Sequence, residues 1–306
     1  MKVGIPKGLL YYKYYPFIET FLKELGAYVV VSDDTNKAIL NEGVKYAVDE
    51  ACLPIKVFHG HVASLRGRCE LIIVPRIMCI RDREYICPKF CGLPEMVKNS
   101  ITEMPMITEL PLYINSEKSL YNWFRKLGFM ITDNIFSIDT AYISALNAQK
   151  KFKSGIKDEG YKTNIVLLGH PYNLYDNFIN MNLVEKLHKF GVGVITEEFV
   201  EENYIDEEVN RLFKRPFWSF ARNSYGAAAY LHSQDKIDGI IYVSSFSCGI
   251  DSVVVELIKD RIKDFPMLVL KIDEQTGEAG INTRLEAFID MIDRRNIVED
   301  NLPAHG

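Results

Sequence analysis

Six cysteines are the residues of this 306-residue chain best equipped for chemistry, and three of them recur in one setting. Cys52 stands in Glu50-Ala51-Cys52-Leu53-Pro54, Cys87 in Tyr85-Ile86-Cys87-Pro88-Lys89, and Cys248 in Ser245-Phe246-Ser247-Cys248-Gly249. Each lies on a loop leading into a helical pattern, beside a proline suited to a first helical turn or a glycine that permits close backbone approach. A free cysteine usually behaves as a small buried hydrophobe, and Cys69, which begins an apolar strand, keeps that reading. Constrained turns are poor places to hide an apolar thiol, so the other three point elsewhere. At a helix N-terminus the free N–H groups and the dipole stabilise a thiolate and, by extension, an anionic iron–sulfur cluster. Cys91, one turn beyond Cys87, is either a fourth ligand or a packed helix residue, with packing favoured; Cys79 is the reserve. Four thiolates from Cys52, Cys87, Cys91 and Cys248 would also suit zinc, but the paired CxxC knuckles of such sites are missing, so zinc ranks second.

Other polar clusters need the same weighing. His59-Gly60-His61 offers two imidazoles, read more readily as helix-surface or core-edge histidines than as ligands. Gly169-His170-Pro171-Tyr172-Asn173 ends a strand where side chains face a ligand crevice, which makes His170, Tyr172 and Asn173 candidates for the site. Asp273–Gly280 follows the last strand and is rich in carboxylates and glycines, so it fits a partner, a substrate or plain solvent; Glu278 is its candidate. Gly4-Ile5-Pro6-Lys7-Gly8 resembles a phosphate loop only superficially, since neither GxxxxGK[ST] nor GxGxxG is present.

The elements that must position these residues alternate between short apolar runs and amphipathic stretches. Strands are expected at Lys2–Pro6, Tyr28–Ser32, Cys69–Pro75 and Pro105–Thr108, with helices at Tyr15–Gly26 and Thr35–Ala47. A second series runs through strands Asn164–Leu168, Val192–Thr196, Gly239–Ser244 and Met267–Ile272, with helices at Asp176–Phe190, Arg222–His232, Asp251–Asp264 and Thr283–Arg294. Such alternation means α/β architecture: two Rossmann-like lobes with parallel sheets. The expected division is an N-terminal lobe over 1–115, a helical connector over 116–162 and a C-terminal lobe over 163–306. Hydrophobic residues at 48%, charged residues at 25% and a net charge of −5 describe a globular chain whose acidity argues against nucleic acid. No apolar run reaches the ~20 residues of a membrane span. A cytoplasmic location is expected, with the cysteines reduced.

Several blocks together resemble one family. They are Met1–Tyr15, Val48–His61, Tyr85–Glu95, Gly169–Met181, Phe246–Ser252 and Lys271–Phe288, distributed in order over nearly the whole chain. The resemblance is to acyl-CoA dehydratase activase-related proteins, within the 2-hydroxyacyl-CoA dehydratase and benzoyl-CoA reductase superfamily. It implies two Rossmann-like lobes with an oxygen-sensitive iron–sulfur cluster in the cleft, either one 4Fe-4S cubane or a double cubane, and hence anaerobic life. It implies that Cys52, Cys87 and Cys248 are ligands and that a separate ATP-hydrolysing activator supplies low-potential electrons. An acyl-CoA-like substrate and a homo- or hetero-oligomer are further implications. His170 and Glu278 are then candidate proton donors for reductive or dehydratase-like chemistry. The alternative is a non-catalytic electron carrier, scaffold or assembly factor, since the chain is shorter than catalytic subunits of the superfamily.

Overall fold

The computed structural model describes residues 1–300; residues 301–306, the end of the expected C-terminal lobe, lie outside the described residues. The chain divides into two compact units. One comprises Met1–Ser154, Pro171–Ile179 and Pro216–Phe220, the other Gly155–His170, Asn180–Arg215 and Ala221–Gly306.

The first unit contains β1 (Lys2–Ile5), α1 (Tyr11–Glu24), β2 (Tyr28–Val31), α2 (Lys37–Tyr46), α3 (Leu53–Ser64), β3 (Leu71–Ile72), β4 (Arg76–Cys79), α4 (Leu93–Ser100), β5 (Met106–Ile107), β6 (Pro111–Tyr113), α5 (Glu117–Phe129) and α6 (Ile135–Lys151). Four of these strands form a parallel sheet in the order β2-β1-β3-β5, so the winding reverses between β1 and β3. The strand expected over Cys69–Pro75 pairs along only two residues. Beyond them the Thr108 side chain substitutes for the ladder, accepting from Val74 N at 2.8 Å and donating to Val74 O at 2.9 Å. The chain then enters a separate parallel pair, β4 with β6. The stretch 116–162 supplies α5 and α6, whose residues belong to the first unit. α1 begins at Tyr11 rather than Tyr15, with Pro16 inside the helix and Tyr11 stacked on Tyr15 at 5.1 Å between ring centroids.

α3 is buried from Leu53 through Ala63, Lys56, His59 and His61 included, so every face of it is covered. Its contact with α2 is made backbone to backbone. A Cβ at Gly43 would stand 1.8 Å from Lys56 O, and one at Gly60 would stand 1.9 Å from Ile39 O. Two glycines therefore set how closely α3, and with it Cys52 at its start, can approach α2.

The second series of elements is β7 (Thr163–Gly169), α7 (Pro171–Leu174, in the first unit), α8 (Leu183–Lys189), β8 (Val192–Thr196), α9 (Glu202–Val209), α10 (Ser219–Ser233), β9 (Gly239–Ser245), α11 (Gly249–Arg261), β10 (Met267–Ile272) and α12 (Glu278–Asp300). The sheet is parallel in the order β10-β9-β7-β8, so its winding reverses between β7 and β9. The two sheets thus share one strand order, that of Rossmann-like α/β units. A helix over Asp176–Phe190 does not form; only Leu183–Lys189 is helical. Asp176 Oδ1 accepts instead from Phe178 N and Ile179 N, Asn180 Oδ1 accepts from Leu183 N, and Met181 and Asn182 take φ of 55°. Short polar side chains have outcompeted the helix for its own backbone.

The α2–α3 contact gives a first test. Gly43→Ala and Gly60→Ala should each cost about 1–3 kcal/mol or more of unfolding free energy, as overpacked cores do. Gly92→Ala, where a Cβ would meet open space, should be nearly neutral in the same chemical denaturation series.

Candidate functional site

The reversal between β7 and β9 is where doubly wound sheets bind ligands, at the carboxyl ends of the strands. In the second unit this edge presents His170, directly after β7, and Cys248, after β9. A turn closed by Cys248 N donating to Ser245 O at 3.1 Å, with Ser247 at φ 62°, delivers Cys248 to the N-cap of α11. Asp251 follows on the first turn of that helix. Donor atoms of His170, Cys248 and Asp251 lie within 4.8 Å of one another.

Inside this group the charges are arranged in sequence. His170 Nε2 stands 3.1 Å from Asp251 Oδ1, which also accepts from the Tyr242 hydroxyl at 2.9 Å. His170 is 4% exposed and Asp251 1%. Desolvation by burial works against a charged imidazole, but the Asp251 carboxylate and the Cys248 sulfur beside it override this and hold His170 well above its ordinary range. Burial likewise works to raise Asp251, and the His170 cation overrides it and holds the carboxyl low. Tyr242 is pushed up by its burial and by Asp251. The result is an ion pair beside a thiol, with His170 able to donate toward sulfur.

In the first unit Cys52 is the N-cap of α3, and Cys87 occupies the same position before the 3₁₀ turn Pro88–Phe90. Lys89 Nζ approaches Cys52 Sγ at 3.5 Å. None of Cys52, Cys87 and Cys248 uses its side chain to cap. The remaining cysteines spend their S–H on carbonyls: Cys69 on Leu65 O, Cys79 on Arg81 O and Glu84 O, Cys91 on Ile77 O. Burial also pushes the Cys69 and Cys79 thiols up. Three sulfurs thus act as donors of neutral thiols, and three stand at helix starts with their cap bonds unmade.

The other expected site residues fall in various places. Tyr172 and Asn173 are buried in α7 of the first unit, where Tyr172 lies against Phe90 at 6.2 Å. Glu278 begins α12, exposed, with Lys186 Nζ at 2.7 Å; that lysine holds its carboxyl below the usual range. His59 Nδ1 bonds Ile55 O at 2.7 Å. His61 joins a chain the sequence did not reveal, and its direction can be worked out. Thr35 Oγ1 donates to Asp176 Oδ2 at 2.5 Å, so it accepts from His61 Nε2 at 2.9 Å, and His61 Nδ1 therefore accepts from Ser32 Oγ at 2.9 Å. Burial and then Lys7 lower His61 to about 3. Asp251 was also missed; its only sequence signal is the Cys-x-x-Asp spacing over the first turn of a helix.

A doubly wound α/β protein with sulfur and an ion pair at a strand-order reversal is the class these features define. The chain matches the model of the CoA enzyme activase uncharacterised domain over residues 2–200 and that of the 2-hydroxyglutaryl-CoA dehydratase D-component over residues 113–292. Each match spans more than half of the chain, which therefore belongs to the acyl-CoA dehydratase activase-related and 2-hydroxyglutaryl-CoA dehydratase superfamily. No curated protein matches it. No helix among the described residues is long and apolar enough to cross a membrane.

Two measurements probe these groups. Asp251→Asn leaves His170 buried without its counter-charge and should cost about 3–5 kcal/mol in denaturant titration. His61 stays neutral in the fold to about pH 3 while the unfolded chain takes up its proton near 6.5. Between those values the unfolded state binds more protons, so His61 lowers stability as pH falls. The slope approaches about 1.4 kcal/mol per pH unit well below 6.5. Stability measured from pH 7 down to pH 5 should fall less steeply in His61→Gln than in the parent.

Proposed function

We propose that this chain is a cluster-bearing electron acceptor that holds an iron–sulfur cluster of the 4Fe-4S type on Cys52, Cys87 and Cys248. The observation that carries the proposal is the setting of three of the six cysteines: Cys52, Cys87 and Cys248 each stand at a helix start, and the Lys89 ammonium approaches Cys52. Cys91 remains the candidate fourth ligand, and recruiting it would break its bond to Ile77 O. When bound, the cluster would supply one-electron reduction at low potential. The chain's own residues supply the rest. Helix N-termini at Cys52 and Cys248 present N–H groups to negative charge, as does the Lys89 ammonium near Cys52. His170, kept protonated by Asp251, donates toward Cys248 and is the candidate proton source for substrate. Glu278, held ionised by Lys186, offers charge more readily than a proton, which suits the acidic loop to a docking surface.

Electrons would come from a separate ATP-hydrolysing activator, and the substrate would be acyl-CoA-like, in reductive or dehydratase-like chemistry in the cytoplasm. A second reading, one zinc ion on His170, Cys248 and Asp251, draws on the 4.8 Å clustering of their donors.

Metal analysis separates these readings. Anaerobically purified protein should contain iron and acid-labile sulfide in similar amounts and bleach in air; stoichiometric zinc without sulfide after reconstitution would sink the cluster. Cys52→Ala, Cys87→Ala and Cys248→Ala should each lose most of the iron, and Cys69→Ala should keep it. His170→Ala, which leaves Asp251 buried without its counter-charge, should cost about as much stability as Asp251→Asn, and the folded fraction should release iron to a chelator about 10-fold more readily. Cluster reduction by an activator should require hydrolysable ATP. Equal reduction with a non-hydrolysable analogue would leave a simple electron carrier or scaffold.

A further inference from the structure

We propose that the first unit also binds a small neutral molecule, mostly hydrocarbon and carrying one hydroxyl, in an apolar cavity at the carboxyl edge of its sheet. The cavity measures about 170 Å³. Ile5 at the end of β1 and Pro6 after it, with Ile73 and Pro75 after β3, form part of its lining. This is the position where the winding of the first sheet reverses, the counterpart of the edge that carries His170 and Cys248 in the second. No cysteine among the described residues lines it, so the inference stands apart from the cluster.

Size, walls and polarity together name the guest. An engineered cavity of about 150 Å³ in another protein stays dry and takes up benzene, so this one holds a single ring with little to spare. Phe17, Trp123 and Phe124 line it. The Phe17 and Phe124 ring centroids are 4.3 Å apart, and those of Trp123 and Phe124 are 4.9 Å apart at 70°. Walls of this kind reward an aromatic guest. Gln149 supplies the polar contact. Its Nε2 donates to Lys13 O at 2.9 Å, which fixes the amide orientation, and its Oε1 is buried with no hydrogen-bond partner. A buried acceptor left unmade is costly, and a guest hydroxyl would satisfy it. An anion would not: it has no proton to give, and no lysine or arginine lines the cavity to repay its lost hydration. An apolar guest would also restore the dispersion contacts that empty space forfeits.

The test uses phenol and benzene as probes. The chain has two tryptophans, so Trp218→Phe leaves Trp123, in the cavity wall, as the single reporter. Phenol should change its emission saturably in the full-length protein. Gln149→Leu should weaken phenol about 10-fold, the worth of one hydrogen bond, and leave benzene unchanged or tighter. Leu146→Phe, which narrows the cavity, should abolish both. Should that variant not fold, the Gln149→Leu comparison of phenol with benzene decides alone, since it removes the polar contact and leaves Phe17, Trp123 and Phe124 in place. No saturable change with phenol in the parent would overturn the proposal, as would a phenol affinity indifferent to Gln149→Leu.

Discussion

A carboxylate with 1% of its surface exposed can remain charged only if a cation stands against it, and in this protein that constraint falls on Asp251 and His170. Each group alone would neutralise itself in that environment; together each holds the other ionised. The consequences extend outward. Asp251 can take its place because it sits one turn into α11, and α11 starts where the Ser245–Cys248 turn sends it. His170 can take its place because β7 ends at Gly169, whose φ of 145° is open to glycine and strained for other residues. Tyr242 occupies the remaining direction from β9. An ion pair therefore fixes the end of one strand against the start of the helix after another, and Cys248 inherits its surroundings from that arrangement.

The two sheets share a strand order but furnish their reversal points oppositely. In the second unit the crevice is polar and built for charge. In the first, the end of β1 turns Ile5 and Pro6 toward an apolar space. The polar groups at the end of β2 close on themselves through Ser32, His61, Thr35 and Asp176. That chain ends on the residues 171–179, which follow His170 in sequence yet belong to the first unit. Asp176 explains why they do. It accepts from Thr35 and from two backbone amides of its own segment, so one side chain both stops a helix and anchors the segment.

Much of this was legible in the sequence, for identifiable reasons. Buried parallel strands announce themselves as apolar runs, and Asn164–Leu168, Gly239–Ser244 and Met267–Ile272 stand within a residue or two of where the runs place them. The three cysteines at helix starts were legible because Pro54, Pro88 and Gly249 mark such starts locally. What failed was whatever depends on side chains competing for backbone. The Asp176–Phe190 periodicity is real, but Asp176 and Asn180 take the amides a helix would need. Thr108 similarly cuts short the strand expected to run to Pro75. Tertiary partnerships were invisible for a different reason. Nothing local in Asp251, Tyr242 or Thr35 states which distant residue it will meet.

Cysteine illustrates how far a residue's role can be read from the direction of its hydrogen bonds. A thiol that donates to a carbonyl loses that bond with its proton, since a negative sulfur would then face a negative oxygen. Cys69, Cys79 and Cys91 are in that position, and for Cys69 and Cys79 burial pushes the same way. A sulfur that receives, as Cys52 does from the Lys89 ammonium, faces the opposite electrostatics, and Cys248 lies within 4.8 Å of the His170 imidazole. A metal–thiolate bond uses sulfur as the giver of electrons, so it is compatible with a sulfur that a cation approaches. Exposure does not draw this distinction, since Cys69 and Cys91 are half-buried like Cys52, Cys87 and Cys248. The sense of the hydrogen bond does, because it separates sulfurs that spend their proton on a carbonyl from a sulfur that an ammonium approaches.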